Sequence, residues 1–216
     1  MTRPTSADFT PPPRNAGVDA AVTAARRVVE ALLHAGNNSA AEMTRVAGQL
    51  NAVADYLNEH VPDVEERLVD MWSGEGVTRH GPVSGTENAI APPLVMEGHG
   101  DGSVSGIVTL GLAYQGPPRH VHGGVTALLL DHALGVANWW AGASGMTGTL
   151  TLRYRRPTPL FVPLTITARQ VSVDGRKIRT VGDISANGEV CVEAEGLFID
   201  RHLPYPGRDA GSGPGG

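Results

Sequence analysis

The sequence predicts an α+β fold: an antiparallel sheet wrapped around a central helix, with a helical pair added at the N-terminus. Three observations predict it. Residues 123–140 form an apolar run of helix length with no broad polar face. Beyond Gly148 the chain alternates apolar and polar residues almost continuously. Asp174-Gly175 and Asn187-Gly188 then divide that region as hairpin turns do.

Composition narrows the function classes. A chain of 216 residues, 41% hydrophobic, supports one domain with a core plus appended structure. Its net charge of −5 argues against nucleic acid, which requires a clustered basic face. The single cysteine, Cys191, forms no internal disulfide and reads as a packed thiol. With no apolar leader-like run near the start, a cytoplasmic location is expected. The one stretch of membrane-span length, 125–143, contains Asp131, His132 and Asn138, so no span is expected.

Taken in order, residues 1–16 hold four prolines and read as a disordered arm. Residues 17–62 form the helical pair. Val22, Ala25, Val28, Val29, Leu32 and Leu33 recur at helical spacing before Gly36. Asn38 or Ser39 caps a second helix whose stripe is Met43, Val46, Leu50, Val53 and Leu57, ending by Pro62. The pair is expected to pack on the main domain or on a second subunit. Residues 63–102, with Pro82, Pro92 and Pro93, read as an extended connecting loop.

Residues 103–202 make the main domain. Val104, Gly106, Val108 and Leu110 alternate as a strand, the apolar helix follows, and strands are predicted around Leu150–Tyr154, Leu164–Val173, Lys177–Ser185 and Glu189–Ile199. The tail, 203–216, is expected to be flexible. A helix apolar on nearly every side must be enclosed, and the sheet is the only material to enclose it. One strand, a central helix and four wrapping strands constitute the hotdog arrangement.

Within that helix Asp131 is out of place. Seven residues rotate a helix by about 700°, so Gly124 and Asp131 lie nearly in line, with Ala127, Leu128, Gly135 and Asn138 on the same stripe. Glycine is costly in a helix interior, so two on one face imply a close approach there. His122-Gly123-Gly124 falls where the chain enters the helix, and the first N–H groups of a helix have no intrahelical acceptor. A substrate oxygen could approach them, as in an oxyanion site.

The string His122-Gly123-Gly124-Val125-Thr126-Ala127-Leu128-Leu129-Leu130-Asp131 closely resembles the hotdog-fold acyl-CoA thioesterases of the phenylacetate-pathway type. So do Gly116-Pro117-Pro118 before it and Tyr154-Arg155-Arg156-Pro157-Thr158-Pro159-Leu160 after it, and the resemblance runs from about Val104 to Ile199. It implies hydrolysis of an acyl-CoA thioester, with Asp131 as general base or nucleophile. The Gly123 N–H would polarise the thioester carbonyl, His122 would shape the turn or bond near that carbonyl, and Thr147 would place the water. Gly124, Gln115, Gly116, Tyr154, Arg155 and Arg156 would contact substrate. Asp131 and Thr147 of one chain would face His122 and Gly123 of another, implying a homodimer, with a tetramer of two dimers as the next level. Neither a cofactor nor a metal is implied.

One departure stands out: several members of the family it resembles carry an asparagine six residues before the histidine, where this chain has Gly116, and Gln115 beside it is the candidate replacement. That departure keeps open a non-catalytic acyl-CoA-binding module. For the phosphates of coenzyme A the candidates are Arg153, Arg155, Arg156, Arg176, Lys177 and Arg179, with Arg156 foremost. Trp139 and Trp140 are expected near the acyl channel. A serine esterase is disfavoured because no G-x-S-x-G elbow is present. A metal site at His120, His122 and Asp131 has no third histidine at suitable spacing.

Overall fold

The computed structural model describes residues 6–8, 17–36, 39–60, 79–143 and 145–200. Most of the expected arm, Asn38, the segment 61–78 with Pro62, and the tail lie outside the described residues.

The apolar spacing of the first third does form two helices, α1 (Val18–His34) and α2 (Ala40–Asn58). Ser39 caps the second: its hydroxyl accepts the Glu42 N–H at 3.3 Å while the Glu42 carboxylate accepts the Ser39 N–H at 3.0 Å. α1 lies against the main domain, where Arg26 donates to the Asn88 carbonyl at 3.0 Å. Neither helix fully buries a residue, and Val29, Leu33, Val53 and Leu57 remain exposed. Within one chain the predicted stripes are therefore only partly used.

Seven strands form one antiparallel sheet: β1 (Ser6–Asp8), β2 (Val95–His99), β3 (Ser103–Thr109), β4 (Met146–Tyr154), β5 (Pro163–Asp174), β6 (Lys177–Ala186) and β7 (Glu189–Ile199). Their order is β1-β2-β3-β5-β6-β7-β4. Five match the predicted strands. The other two fall inside what reads as the arm and the connecting loop: Val95–His99 pairs with β3, and Ser6–Asp8 pairs with β2. β2 escapes a periodicity reading because it is short, follows Pro92-Pro93, and shows only Met96 and Gly98 to the core.

The hairpin signals are borne out. Asn187 and Gly188 both take positive φ, 52° and 80°, the backbone of a two-residue primed turn between β6 and β7. Gly175, at φ 54°, opens the turn after β5.

The central helix, α3 (Gly123–Trp140), lies across one face of the sheet, in contact with β2 to β7. Leu129, Leu130, Ala133, Leu134 and Ala137 pack into one core with side chains such as Val108, Ile166, Ile178, Ile184 and Val192. Among the described residues the expected full enclosure does not occur. The sheet covers one side, and a stripe with Gly124 and Leu128 exposed and Asp131 and Gly135 half-buried faces outward. An apolar run reveals that a helix is buried somewhere, but not whether its own chain does all the burying. Asn138 is also not on the open stripe; it is buried against the sheet, where Thr180 donates to its Oδ1. No described helix is long and apolar enough to cross a membrane.

Leu134 sits over two sheet glycines: a Cβ at Gly182 would lie 3.2 Å from its side chain, and one at Gly196 would lie 3.0 Å from it. The fit predicts that Leu134→Ala destabilises the fold by about 2–5 kcal/mol, measured from urea unfolding midpoints.

Candidate active site

The loop before α3 is drawn tight by its own backbone. Gly116 N–H bonds the His120 carbonyl at 3.0 Å, His120 N–H bonds the Pro117 carbonyl at 2.9 Å, and His122 N–H bonds the Tyr114 carbonyl at 2.9 Å. Arg119 takes a left-handed φ of 69° within it. Gly116 is a steric necessity here, since a Cβ would lie 2.7 Å from the His122 Cα. An asparagine at this position would collide with the turn. The Gln115 side-chain carbonyl accepts from the Arg119 N–H at 3.5 Å, within the loop.

His122 is the N-cap of α3, and its Nδ1 accepts the Gly124 N–H at 2.9 Å. That bond fixes the neutral tautomer, with the proton on Nε2. It also spends one of the two glycine donors. The remaining one, Gly123 N–H, has no acceptor among the described residues. The helix N-terminus thus presents a single unspent amide, reinforced by the helix dipole.

Asp131 sits two turns further along α3. The Thr147 hydroxyl, at the start of β4, donates to its Oδ1 at 2.8 Å. The register of β4 shifts between Thr147 and Thr149, a local irregularity at the strand that carries this hydroxyl. At about 1.5 Å per residue, the eight residues from Gly123 to Asp131 span about 12 Å of helix. The structure therefore joins Asp131 to Thr147, and His122 to Gly123 and Gly124, as two separate clusters in one chain.

Beside the helix start lies a cavity of about 430 Å³ lined by Pro117, His120, Gly123, Thr126, Tyr154 and Arg155, among others. The Tyr154 hydroxyl donates to the Gly123 carbonyl at 3.0 Å. The arginines at its rim are engaged within the fold. Arg155 places two nitrogens on one Glu193 oxygen, at 2.8 and 3.0 Å, and Arg156 donates to the Val190 carbonyl at 3.0 Å. Arg179 pairs with Glu195 at 3.3 Å, and Arg176 donates to the Asp200 carbonyl at 2.9 Å. Arg153 lines a different groove, together with Arg169, Asp183 and Glu193. Trp140 is buried and its indole donates to the His99 carbonyl at 2.7 Å. Cys191 is buried.

Sequence reading passes over two features. Thr126 is buried and its hydroxyl donates to the Gly123 carbonyl at 2.8 Å; a threonine in a first helical turn can bond back to a carbonyl, which is the available signal. His132, next to Asp131, bonds Ser84 at 3.0 Å through Nε2. Burial pushes its pKa down to about 4, although the Asp131 carboxylate beside it acts in the opposite direction. Ser84 arrives from a distant loop, so no local pattern announces this pair.

This geometry can be set beside known proteins. The thioesterase superfamily profile matches residues 119–193, and the profile for the N-terminal helical domain of hypothetical protein RHA1_ro05818 matches residues 9–66. The crystal structure of protein RHA08564, a thioesterase superfamily protein, is 61% identical, covers 91% of this chain and 97% of its own, and superposes with a TM-score of 0.84. Acyl-coenzyme A thioesterase THEM4 of Xenopus laevis is 32% identical over 87 residues, 39% of each chain. The protein of the same name from Mus musculus is 33% identical over 91 residues, 41% of this chain and 39% of its own. This chain thus spans about two fifths of the length of the curated relatives it matches. A sheet curved around one central helix defines a hotdog-fold protein. The chain belongs to the thioesterase superfamily.

Because the folded pKa of His132 lies below the ordinary histidine value, the native state binds fewer protons than the unfolded state. The contribution of the neutral His132 ring to stability is fully present above about pH 6.5 and is lost as pH falls toward about 4. His132→Gln is expected to flatten that acid-side loss, read from urea midpoints at pH 7, 5.5 and 4.5.

Proposed function

We propose that the protein hydrolyses acyl-CoA thioesters, with Asp131 as the base and Gly123 N–H as the oxyanion donor. The observation that carries this reading is the pairing of the Thr147 hydroxyl with Asp131, alongside a helix-start amide left without an acceptor. The thioester carbonyl oxygen lies on Gly123 N–H, and water lies against Asp131, positioned with Thr147. Water attacks the carbonyl carbon while Asp131 takes its proton, the developing oxyanion is stabilised at Gly123, and collapse expels the coenzyme A thiolate, which recovers the proton. If Asp131 attacks directly, its carboxylate displaces the coenzyme A thiolate to leave a mixed anhydride. Water then opens that anhydride at the aspartyl carbonyl, giving the free acid in its ionised form and the restored carboxylate, with the two released protons going to the thiolate and the solvent. The same donor serves the first step of both routes.

The roughly 12 Å between Gly123 and Asp131 along one helix prevents a single chain from doing both jobs on one carbonyl. We therefore assign the two clusters of each site to different copies in a homodimer. The open stripe of α3 and the free outer edge of β4 are the surfaces available to bring the copies together. The cavity beside Gly123 is the place for the pantetheine arm, with Arg155 and Arg156 at its rim for phosphate. The helical pair, which buries little within its own chain, suits a further contact between dimers.

A second reading follows from Gly116: with no asparagine to help hold the carbonyl, the site could bind acyl-CoA without cleaving it. Free-thiol release from a panel of acyl-CoAs separates the two. The hydrolase reading predicts turnover that Asp131→Asn lowers by about 10²–10⁴-fold. A binding module gives equal affinity and no thiol in either form. Single-turnover hydrolysis in ¹⁸O-water distinguishes the two routes, because only direct attack leaves the isotope in Asp131.

A further inference from the structure

The peptide unit between Gly123 and Gly124 is flanked by two residues without side chains, which makes it intrinsically one of the freest in the chain. In the fold it belongs to the first turn of α3, and side chains bond it at both ends in addition to the helix. Its N–H donates to His122 Nδ1 at 2.9 Å. Its carbonyl accepts from Tyr154 Oη at 3.0 Å and from Thr126 Oγ1 at 2.8 Å. These three groups come from the helix cap, the end of β4 and the first turn of α3.

The neighbouring peptide, between His122 and Gly123, is fixed differently. Its carbonyl accepts from Val125 N–H at 2.9 Å and Thr126 N–H at 3.3 Å, so it points into the helix. A trans peptide directs its N–H opposite to its carbonyl. Gly123 N–H therefore points out of the helix end, and the peptide that follows meets this one at the Gly123 Cα, where no side chain limits the rotation of one against the other.

The glycines and the side-chain bonds explain one another. A Cβ at Gly123 would lie 3.3 Å from the Tyr154 hydroxyl, and one at Gly124 would lie 3.1 Å from His122 Nδ1. Glycine makes room for the three groups to reach the peptide, and they restore the rigidity that glycine removes. The cost of two glycines at a helix start is offset by bonds that aim one amide.

We infer that Tyr154 and Thr126 are positioning residues that clamp the Gly123–Gly124 peptide and so aim Gly123 N–H at the oxyanion. This inference rests on the hydrolase reading above. Tyr154 contributes through the Gly123 carbonyl, and its hydroxyl is not required to touch substrate. Thr126, buried beneath the turn, contributes in the same way.

Tyr154→Phe and Thr126→Val each remove a hydroxyl while keeping the shape of the side chain. Loss of an oxyanion donor costs about 10²–10³ in kcat, so loosening its aim is expected to cost roughly tenfold per variant and more in the double variant. KM should change less than kcat, because the hydroxyls removed bond the Gly123 carbonyl. Thr126→Ser should restore kcat. An S-alkyl-CoA thioether, which has no carbonyl to polarise, reads any change in ground-state binding separately, and that change should be smaller than the loss in kcat. Amide exchange at Gly124, read without any turnover, should quicken in both variants.

A rise in KM at constant kcat would make Tyr154 a substrate contact and overturn the clamp. Unchanged kcat with unchanged Gly124 exchange would also overturn it. If Asp131→Asn abolishes turnover while these variants do not affect it, the clamp alone fails. If wild type releases no thiol, the hydrolase reading fails and the clamp's catalytic role with it, while the exchange data still report whether the peptide is held.

Discussion

Helix α3 carries both halves of the proposed chemistry, and its pitch keeps them apart. Its first amide, at Gly123, has no acceptor among the described residues, and its carboxylate, at Asp131, is tied to Thr147 two turns away. The rest of the domain serves to hold that helix. One side is locked into the sheet by Leu130, Leu134 and their neighbours, which fixes its axial position and rotation. The other side is lined by small residues and left open. A helix held in this way can present two chemical groups, but not to the same substrate atom. The requirement for a second copy in the proposed reaction is therefore a consequence of helix geometry.

The helix start shows how a chain can present a rigid donor from flexible residues. Two glycines allow close approach, and His122, Thr126 and Tyr154 supply the restraint. Gly116 belongs to the same solution, because the turn leaves no room for a Cβ there. The absence of an asparagine at this position then has a packing cause. The carbonyl would be held by the amide and the dipole of α3, without a side-chain donor at that position.

Much of this was legible in the sequence because it is local. The apolar run of α3, the Asn187-Gly188 turn and the stripes of α1 and α2 each follow from spacing within a few residues. The thioesterase resemblance pointed to Asp131 and Thr147, and the hydrogen bond between them is present. What escaped depends on distant partners. β2 becomes a strand through its pairing with β3, Ser84 reaches His132 across 48 residues, and the Thr126 hydroxyl acquires meaning only once Tyr154 arrives at the same carbonyl. The open face of α3 was misread because apolar composition does not specify which chain supplies the cover.

The most direct measurement is complementation between two inactive variants. Asp131→Asn lacks the base, and Gly123→Pro lacks the amide hydrogen at a helix position that favours proline. Each is expected to be inactive alone. Unfolded and refolded together in equal amounts, they should recover about a quarter of wild-type thioesterase activity, because half the dimers are mixed and each mixed dimer holds one intact site of two. Well-folded mixed dimers with no recovered activity would contradict a site shared between copies.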